Sequence, residues 1–286
     1  MKFRSIRAFL TVSLLLSTLN SVKAQKSNSQ NLNISFLLDL SDRISPAKNP
    51  SGAMPYYKRD VEYMKSIERA FVNHVKSKKI RKLNEQMQVF FDPTPQDPAI
   101  NAFSESLKVK VDKSTTKASL IAIDKTFSDI PQKIYLSAIK SNKYFGSDIF
   151  NFFQKKVKNY CISDNHRNIL VILTDGYMYH VDSKYVSGNQ SSYITPTYIK
   201  SKKLHTINFK SEMVKNKIGF IPATTGLKDL EVIVIGINPS KTNPFEEGII
   251  NQYWSDWLKA MGVKTFYLNG AELPSDIEPL LQKIIG

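Results

Sequence analysis

Three stretches of this 286-residue chain are apolar almost without interruption: residues 33–39 (NISFLLD), 168–173 (NILVIL) and 231–237 (EVIVIGI). A strand with one wet face alternates polar and apolar side chains, so runs this continuous read as strands buried on both faces. Burying both faces of a sheet takes helices on either side, and the chain between the runs carries helical periodicity. Residues 59–77 place Met64, Ile67, Phe71 and Val75 on one stripe. Residues 148–161 do so with Ile149, Phe153, Val157 and Tyr160, and residues 246–261 with Ile250, Tyr253, Trp254, Trp257 and Leu258. A helical pattern over 118–140 is expected to break near 128–131, where Pro131 falls. Shorter strands are expected at 88–92, stopped by Pro93, at 107–111 (LKVKV, alternating, hence an edge) and at 264–268. Ser275-Asp276-Ile277-Glu278 reads as a capping box for a last helix. The expected fold is α/β: a doubly wound, mostly parallel sheet with helices on both faces, in one domain over 33–286 with insertions near 93–118 and 177–230.

Residues 1–24 stand apart from that domain. Lys2, Arg4 and Arg7 precede an apolar stretch from Ala8 to Leu19, and Val22-Lys23-Ala24 suits a signal peptidase cutting before Gln25. Residues 25–32 read as a polar tail. The sequence therefore predicts export to the periplasm or medium as a soluble protein, with no transmembrane segment. No lipid anchor is expected, because no cysteine lies near the cleavage point. Loss of the leader lowers the net charge from +15 to +11. The densest basic run, Lys76, Lys78, Lys79, Arg81 and Lys82, sits at a predicted helix end, where the helix dipole favours cations. Export argues against nucleic acid as a partner and leaves acidic glycans or proteins. A single cysteine, Cys161, excludes a disulfide scaffold and lies beside an apolar stripe, which marks it as an inert buried thiol. The four histidines have no metal-ligand spacing, which argues against a zinc enzyme.

In an open α/β sheet, ligands gather outside the carboxyl ends of the strands where strand order reverses. Three oxygen-rich motifs fall at such ends. The first strand runs into Asp39-Leu40-Ser41-Asp42-Arg43, the fourth into Thr174-Asp175-Gly176, and Gly146-Ser147-Asp148 opens the helix leading to the fourth. Carboxylates and hydroxyls of this kind suit Mg²⁺, Mn²⁺ or Ca²⁺.

In these residues the chain resembles a von Willebrand factor type A domain. That family carries a metal-ion-dependent adhesion site made of Asp-x-Ser-x-Ser after the first strand, a Thr in a later loop and an Asp after the fourth strand. Asp39 and Ser41 match the first two positions, Ser147 keeps the hydroxyl of the Thr, and Asp175 matches the last carboxylate. The second Ser of the family motif is Arg43 here. Its guanidinium removes one hydroxyl and is able to bridge Asp39 and Asp175 in place of the metal. Asp42 is an additional carboxylate, and Ser45 another hydroxyl, two residues out of phase.

The resemblance implies a degenerate metal site, with Mg²⁺ the leading cation and Mn²⁺ or Ca²⁺ as alternatives. It implies a non-catalytic module that binds an acidic group of a protein or glycan. A metal-free scaffold locked by Arg43 is the alternative. A metal-dependent hydrolase is a further one, disfavoured because no histidine adjoins the motifs and Ser41 replaces the second Asp of a phosphatase-like Asp-x-Asp. The segment 177–230 leaves the sheet directly after Asp175 and is rich in tyrosine. Tyr177, Tyr179 and Tyr193 are its candidate partner-binding residues, in a small cap beside the site.

Overall fold

The computed structural model describes residues 30–286 except 143 and 145. The leader over 1–24 and residues 25–29 of the polar tail lie outside the described residues. Among the described residues the strands are β1 (Asn31–Leu38), β2 (Asn84–Phe90), β3 (Val109–Asp112), β4 (His166–Leu173), β5 (Val186–Ser187), β6 (Gln190–Ser191), β7 (Gly219–Phe220), β8 (Leu230–Ile237) and β9 (Thr265–Gly270). The helices are α1 (Tyr56–Ser77), α2 (Pro98–Ser106), α3 (Lys117–Ser141), α4 (Ile149–Lys155), α5 (Val157–Cys161), α6 (Pro196–Ser201), α7 (Phe209–Lys215), α8 (Glu246–Ala260) and α9 (Pro274–Ile285).

The main sheet has six strands in the order β3-β2-β1-β4-β8-β9. All neighbours are parallel except the edge pair β2–β3. Side chains on the central strands divide by parity, as the two-residue period of a strand requires. Phe36 of β1, Val171 of β4 and Ile233 of β8 enter one core with α1, α3 and α9. Leu37, Ile172 and Val234 enter the other, with α4, α5 and α8. The apolar runs are continuous because both cores need them.

Four details depart from the sequence reading. α3 runs through Pro131 without a break. Phe127 and Pro131 before that point, and Ile134, Tyr135 and Ala138 after it, are buried, so packing holds both halves in line despite the lost N–H. The helix expected over 148–161 is instead two pieces meeting at Lys156 (φ −118°). The break shifts the phase, so Cys161 is buried and Tyr160 faces solvent. The last helix begins with Pro274 at its N-terminus, and its N-cap, Leu273, offers no side-chain bond. The expected capping box is therefore not formed; the Ser275 hydroxyl turns to Asp276 instead. Finally, β1 starts at Asn31, inside the stretch read as a tail.

The segment 177–230 is part of the fold rather than a cap laid on it. It forms a second sheet, β5-β6-β7, and Ile194, Ile199, Leu204 and Leu227 are buried in the second core. Trp257 Nε1 donates to Ile221 O at 2.9 Å and Trp254 Nε1 to Gly176 O at 2.9 Å, tying both ends of the segment to α8. Removing residues 183–203 would strip Ile194 and Ile199 from that core. The expectation of a small cap beside the site is therefore corrected to a segment that builds part of the second core.

Candidate functional site

Strand order reverses between β1 and β4: the chain moves outward to β2 from one and to β8 from the other. The two strands are in register through Leu38 and Leu173. Asp39 and Asp175 leave them at the same carboxyl edge. The backbone N–H of Asp39 still donates to Leu173 O at 3.0 Å, so its side chain is fixed relative to β4. Gly176 follows with φ +91°, and a Cβ there would lie 2.8 Å from Ile250, so only glycine turns the chain away from Asp175 without a clash.

The third loop is drawn in by two isolated bridges, Leu40 to Gly146 and Ser147 to Tyr179. Asp148 anchors it from behind. Its carboxylate caps α4 by accepting from Asn151 N at 2.9 Å and also accepts from the Ser183 hydroxyl at 2.7 Å, with His180 Nδ1 at 3.3 Å. Its own N–H donates to Asp92 O. An ordinary N-cap thus holds Ser147 in place.

Asp39, Ser41, Asp42, Ser147 and Asp175 line one pocket of about 480 Å³, together with Tyr177, Tyr179 and Lys48. Ser45 does not line it; its hydroxyl accepts from Lys48 N. Asp39 is fully engaged. Oδ1 accepts from Ser41 N at 2.9 Å, and Oδ2 accepts from the Thr174 hydroxyl at 3.0 Å and lies 3.3 Å from Arg43 Nε. Asp175 accepts from Tyr177 N at 3.0 Å. Burial, then the Asp39 charge, pushes the Asp175 carboxyl up to about 7, against the pull of Arg43. The Ser147 hydroxyl is buried and has no hydrogen-bond partner among the described residues. Asp42 is exposed and lies 3.3 Å from Lys48 Nζ.

Arg43 does not bridge Asp39 and Asp175, as the sequence allowed. Its guanidinium turns inward: Nη2 donates to Asp60 Oδ2 at 2.6 Å and to Leu173 O at 2.7 Å. Burial opposes the charge, but Asp60 and Asp39 outweigh it and hold Arg43 above the ordinary arginine range. Asp60, on α1, was not singled out from sequence. Its one signal is a carboxylate on the apolar stripe, four residues before Met64. Tyr135 of α3 lies beside Asp60, its buried hydroxyl without a hydrogen-bond partner among the described residues. Thr174, also missed as a site residue, ties the two strand ends together.

The tyrosines divide. Tyr177 lines the pocket, but its hydroxyl is committed, donating to Glu246 at 2.5 Å and accepting from Ser240 N. Tyr179 is half exposed and stands edge-on to Tyr193, ring centres 6.0 Å apart. Lys184 Nζ lies over both rings. Tyr193 does not line the pocket; it backs Tyr179.

Among the described residues no group of three or more His, Cys, Asp and Glu side chains is arranged to hold a metal ion. A cation here depends on hydroxyls as well as carboxylates. The donor set fits one: two carboxylates and two hydroxyls, one of them orphaned, with the buried Asp39 and Asp60 paired to Arg43 and the half-buried Asp175 outside that pairing. No described helix is long and apolar enough to cross a membrane.

The fold and pocket define a class: an α/β protein with a doubly wound sheet and an oxygen-lined pocket at its switch point. No family model matches the chain, and no curated protein matches it. Among solved structures it is similar to the pilus adhesin SpaC of Lactobacillus rhamnosus GG, at 11% identity and a TM-score of 0.43 over 90% of this chain. The chain spans 30% of that adhesin's length. It is also similar to the conserved hypothetical protein BatB of Bacteroides thetaiotaomicron (12% identity, TM-score 0.34, 89% of this chain and 97% of that one). A third is an aerotolerance-related membrane protein of Bacteroides fragilis (10% identity, TM-score 0.38, 89% and 98%). Scores this low assign no function, and the reading below rests on the chain's own residues.

Proposed function

We propose that this chain is an exported, non-catalytic binding module that captures an acidic group of a protein or glycan through a divalent cation. Asp39, Ser41, Ser147 and Asp175 hold the cation, with Asp42 assisting, as the resemblance to von Willebrand factor type A domains implies. The observation that carries this reading is the orphaned Ser147 hydroxyl. It is buried at 6% exposure, unpaired, and on the wall of the same pocket as Asp39 and Asp175. A buried hydroxyl without a partner is costly, and a cation is one group that satisfies it. Mg²⁺ is the leading candidate, with Mn²⁺ and Ca²⁺ as alternatives, since all are hard ions that favour oxygen. The cation supplies an open coordination position for the partner's carboxylate. Tyr179, backed by Tyr193 and Lys184, offers an aromatic and cationic wall beside it, and Tyr177 shapes the pocket floor. Among the described residues lining the pocket no histidine stands beside the Ser41 or Ser147 hydroxyl to activate it, which favours binding over turnover.

The test is thermal melting with millimolar Mg²⁺, Mn²⁺ or Ca²⁺, followed by the same titration of Asp175→Asn. A cation that binds the folded state raises Tm, and the variant loses the rise. No shift with any of the three ions overturns this reading in favour of a metal-free scaffold.

A further inference from the structure

Farther along the α1–α3 seam lies a second feature, independent of the metal reading. α1 and α3 pack antiparallel, Tyr57 facing Tyr135 at one end. Farther along they flank a groove of about 580 Å³ whose walls include Glu68, Val72 and Lys76 of α1 and Lys117, Ile121 and Asp124 of α3. Glu68 is 2% exposed, and its Oε1 has no hydrogen-bond partner. No ion pair reaches it among the described residues. Arg69, next in sequence, also lines the groove, but its guanidinium pairs with Glu278 of α9 at 2.6 Å. Burial, followed by the Asp124 charge, pushes the Glu68 carboxyl up to about 7.

The groove is ordered along its length. Extending the Tyr57–Tyr135 pairing along antiparallel helices places Glu68 near Asp124, Val72 near Leu120 and Ile121, and Lys76 near Lys117. From Glu68 to Lys76 is roughly 12 Å at the helical rise. One end carries Glu68 and Asp124, with Arg69 there tied to Glu278, the middle is apolar, and the other end is basic. Ile121 is 62% exposed in that middle. A groove between two helix ridges is the shape that receives a third amphipathic helix. A buried, unpaired carboxylate at one end specifies a cation from the occupant.

We propose that this groove docks a helical segment of a partner protein whose contact face runs basic, apolar, acidic, with its Lys or Arg seated on Glu68. The basic head satisfies Glu68 and Asp124, the apolar residues cover Ile121 and Val72, and the acidic end meets Lys76 and Lys117.

A phage-displayed library of random 16-residue helical peptides, selected on the full mature chain and counter-selected on Ile121→Glu, tests this directly. Ile121 is exposed, so that variant keeps the fold. The expected survivors carry Lys or Arg about two helical turns from Asp or Glu, with apolar residues between, and lose at least tenfold in affinity on Glu68→Gln. Absence of enrichment over the counter-selection overturns the proposal. So do survivors without that charge order, or with unchanged affinity for Glu68→Gln.

Discussion

Asp60 and Glu68 sit eight positions apart on the same helix, and both carboxylates are buried, yet their surroundings differ completely. Asp60 meets Arg43 at 2.6 Å. Glu68 has no ion pair among the described residues, only the more distant charges of Arg69 and Lys76, and one oxygen has no hydrogen-bond partner. The same cost of desolvation is met inside the fold in one case and left open in the other. The contrast separates an acid that builds the molecule from an acid that waits for something outside it.

Breaking the internal pair has the largest expected effect. Arg43→Ser leaves Asp60 buried and uncompensated, and urea unfolding is expected to show a loss of about 3–5 kcal/mol. This changes what that substitution tests. The sequence alone suggests that serine restores a metal hydroxyl, whereas the inward guanidinium makes its removal destabilising first. A loss below about 1 kcal/mol would place the Arg43–Asp60 pair with weak surface ion pairs and dissolve the comparison.

Filling the pocket comes next. Mg²⁺ at a hundred times its Kd is expected to stabilise the wild type by about 2.7 kcal/mol, read as a rise in Tm, and Asp175→Asn to show none. If Asp175→Asn keeps the full rise, the cation sits elsewhere.

Glu68→Gln sharpens the comparison from the opposite side, because it is expected to stabilise. The folded carboxyl lies near 7 against an ordinary value of 4.5. With the folded pKa raised, Glu68 leaves stability intact below about pH 4.5 and erodes it as pH climbs through about 7. Glutamine carries no such penalty. The variant is expected to match the wild type at pH 4.5 and exceed it by about 2 kcal/mol at pH 8, measured by urea unfolding at both values. A constant difference across that range would mean Glu68 is not the titrating group. Ile121→Glu, on the exposed wall of the same groove, is expected to change stability by less than about 0.5 kcal/mol. A larger loss would make Ile121 a packing residue rather than a docking one.

Much of this architecture was legible because it follows from periodicity. The three apolar runs fall in β1, β4 and β8, and the alternating LKVKV stretch overlaps the antiparallel edge strand β3. Helix phase was less legible. The break at Lys156 turned Tyr160 outward, and Pro131 failed to break α3, because each outcome depends on what packs against the helix. The motif residues Asp39, Ser41, Ser147 and Asp175 line one pocket because strand ends and a helix start carry them to the same sheet edge. Arg43 was visible as a departure, but its direction was not. Its partner lies 17 residues away on α1, and only the packing of α1 on the sheet brings them together.

The sequence by itself determined a two-sided sheet, helices on both faces and oxygen-bearing side chains at the strand ends, since these follow from side-chain spacing along one chain. The tertiary structure decided which buried charges are answered. It turned Arg43 toward Asp60 and away from Asp175, wove residues 177–230 into the core, and left Ser147 and Glu68 without partners. Charge compensation is a contact between elements distant in sequence, and spacing along the chain carries no record of it.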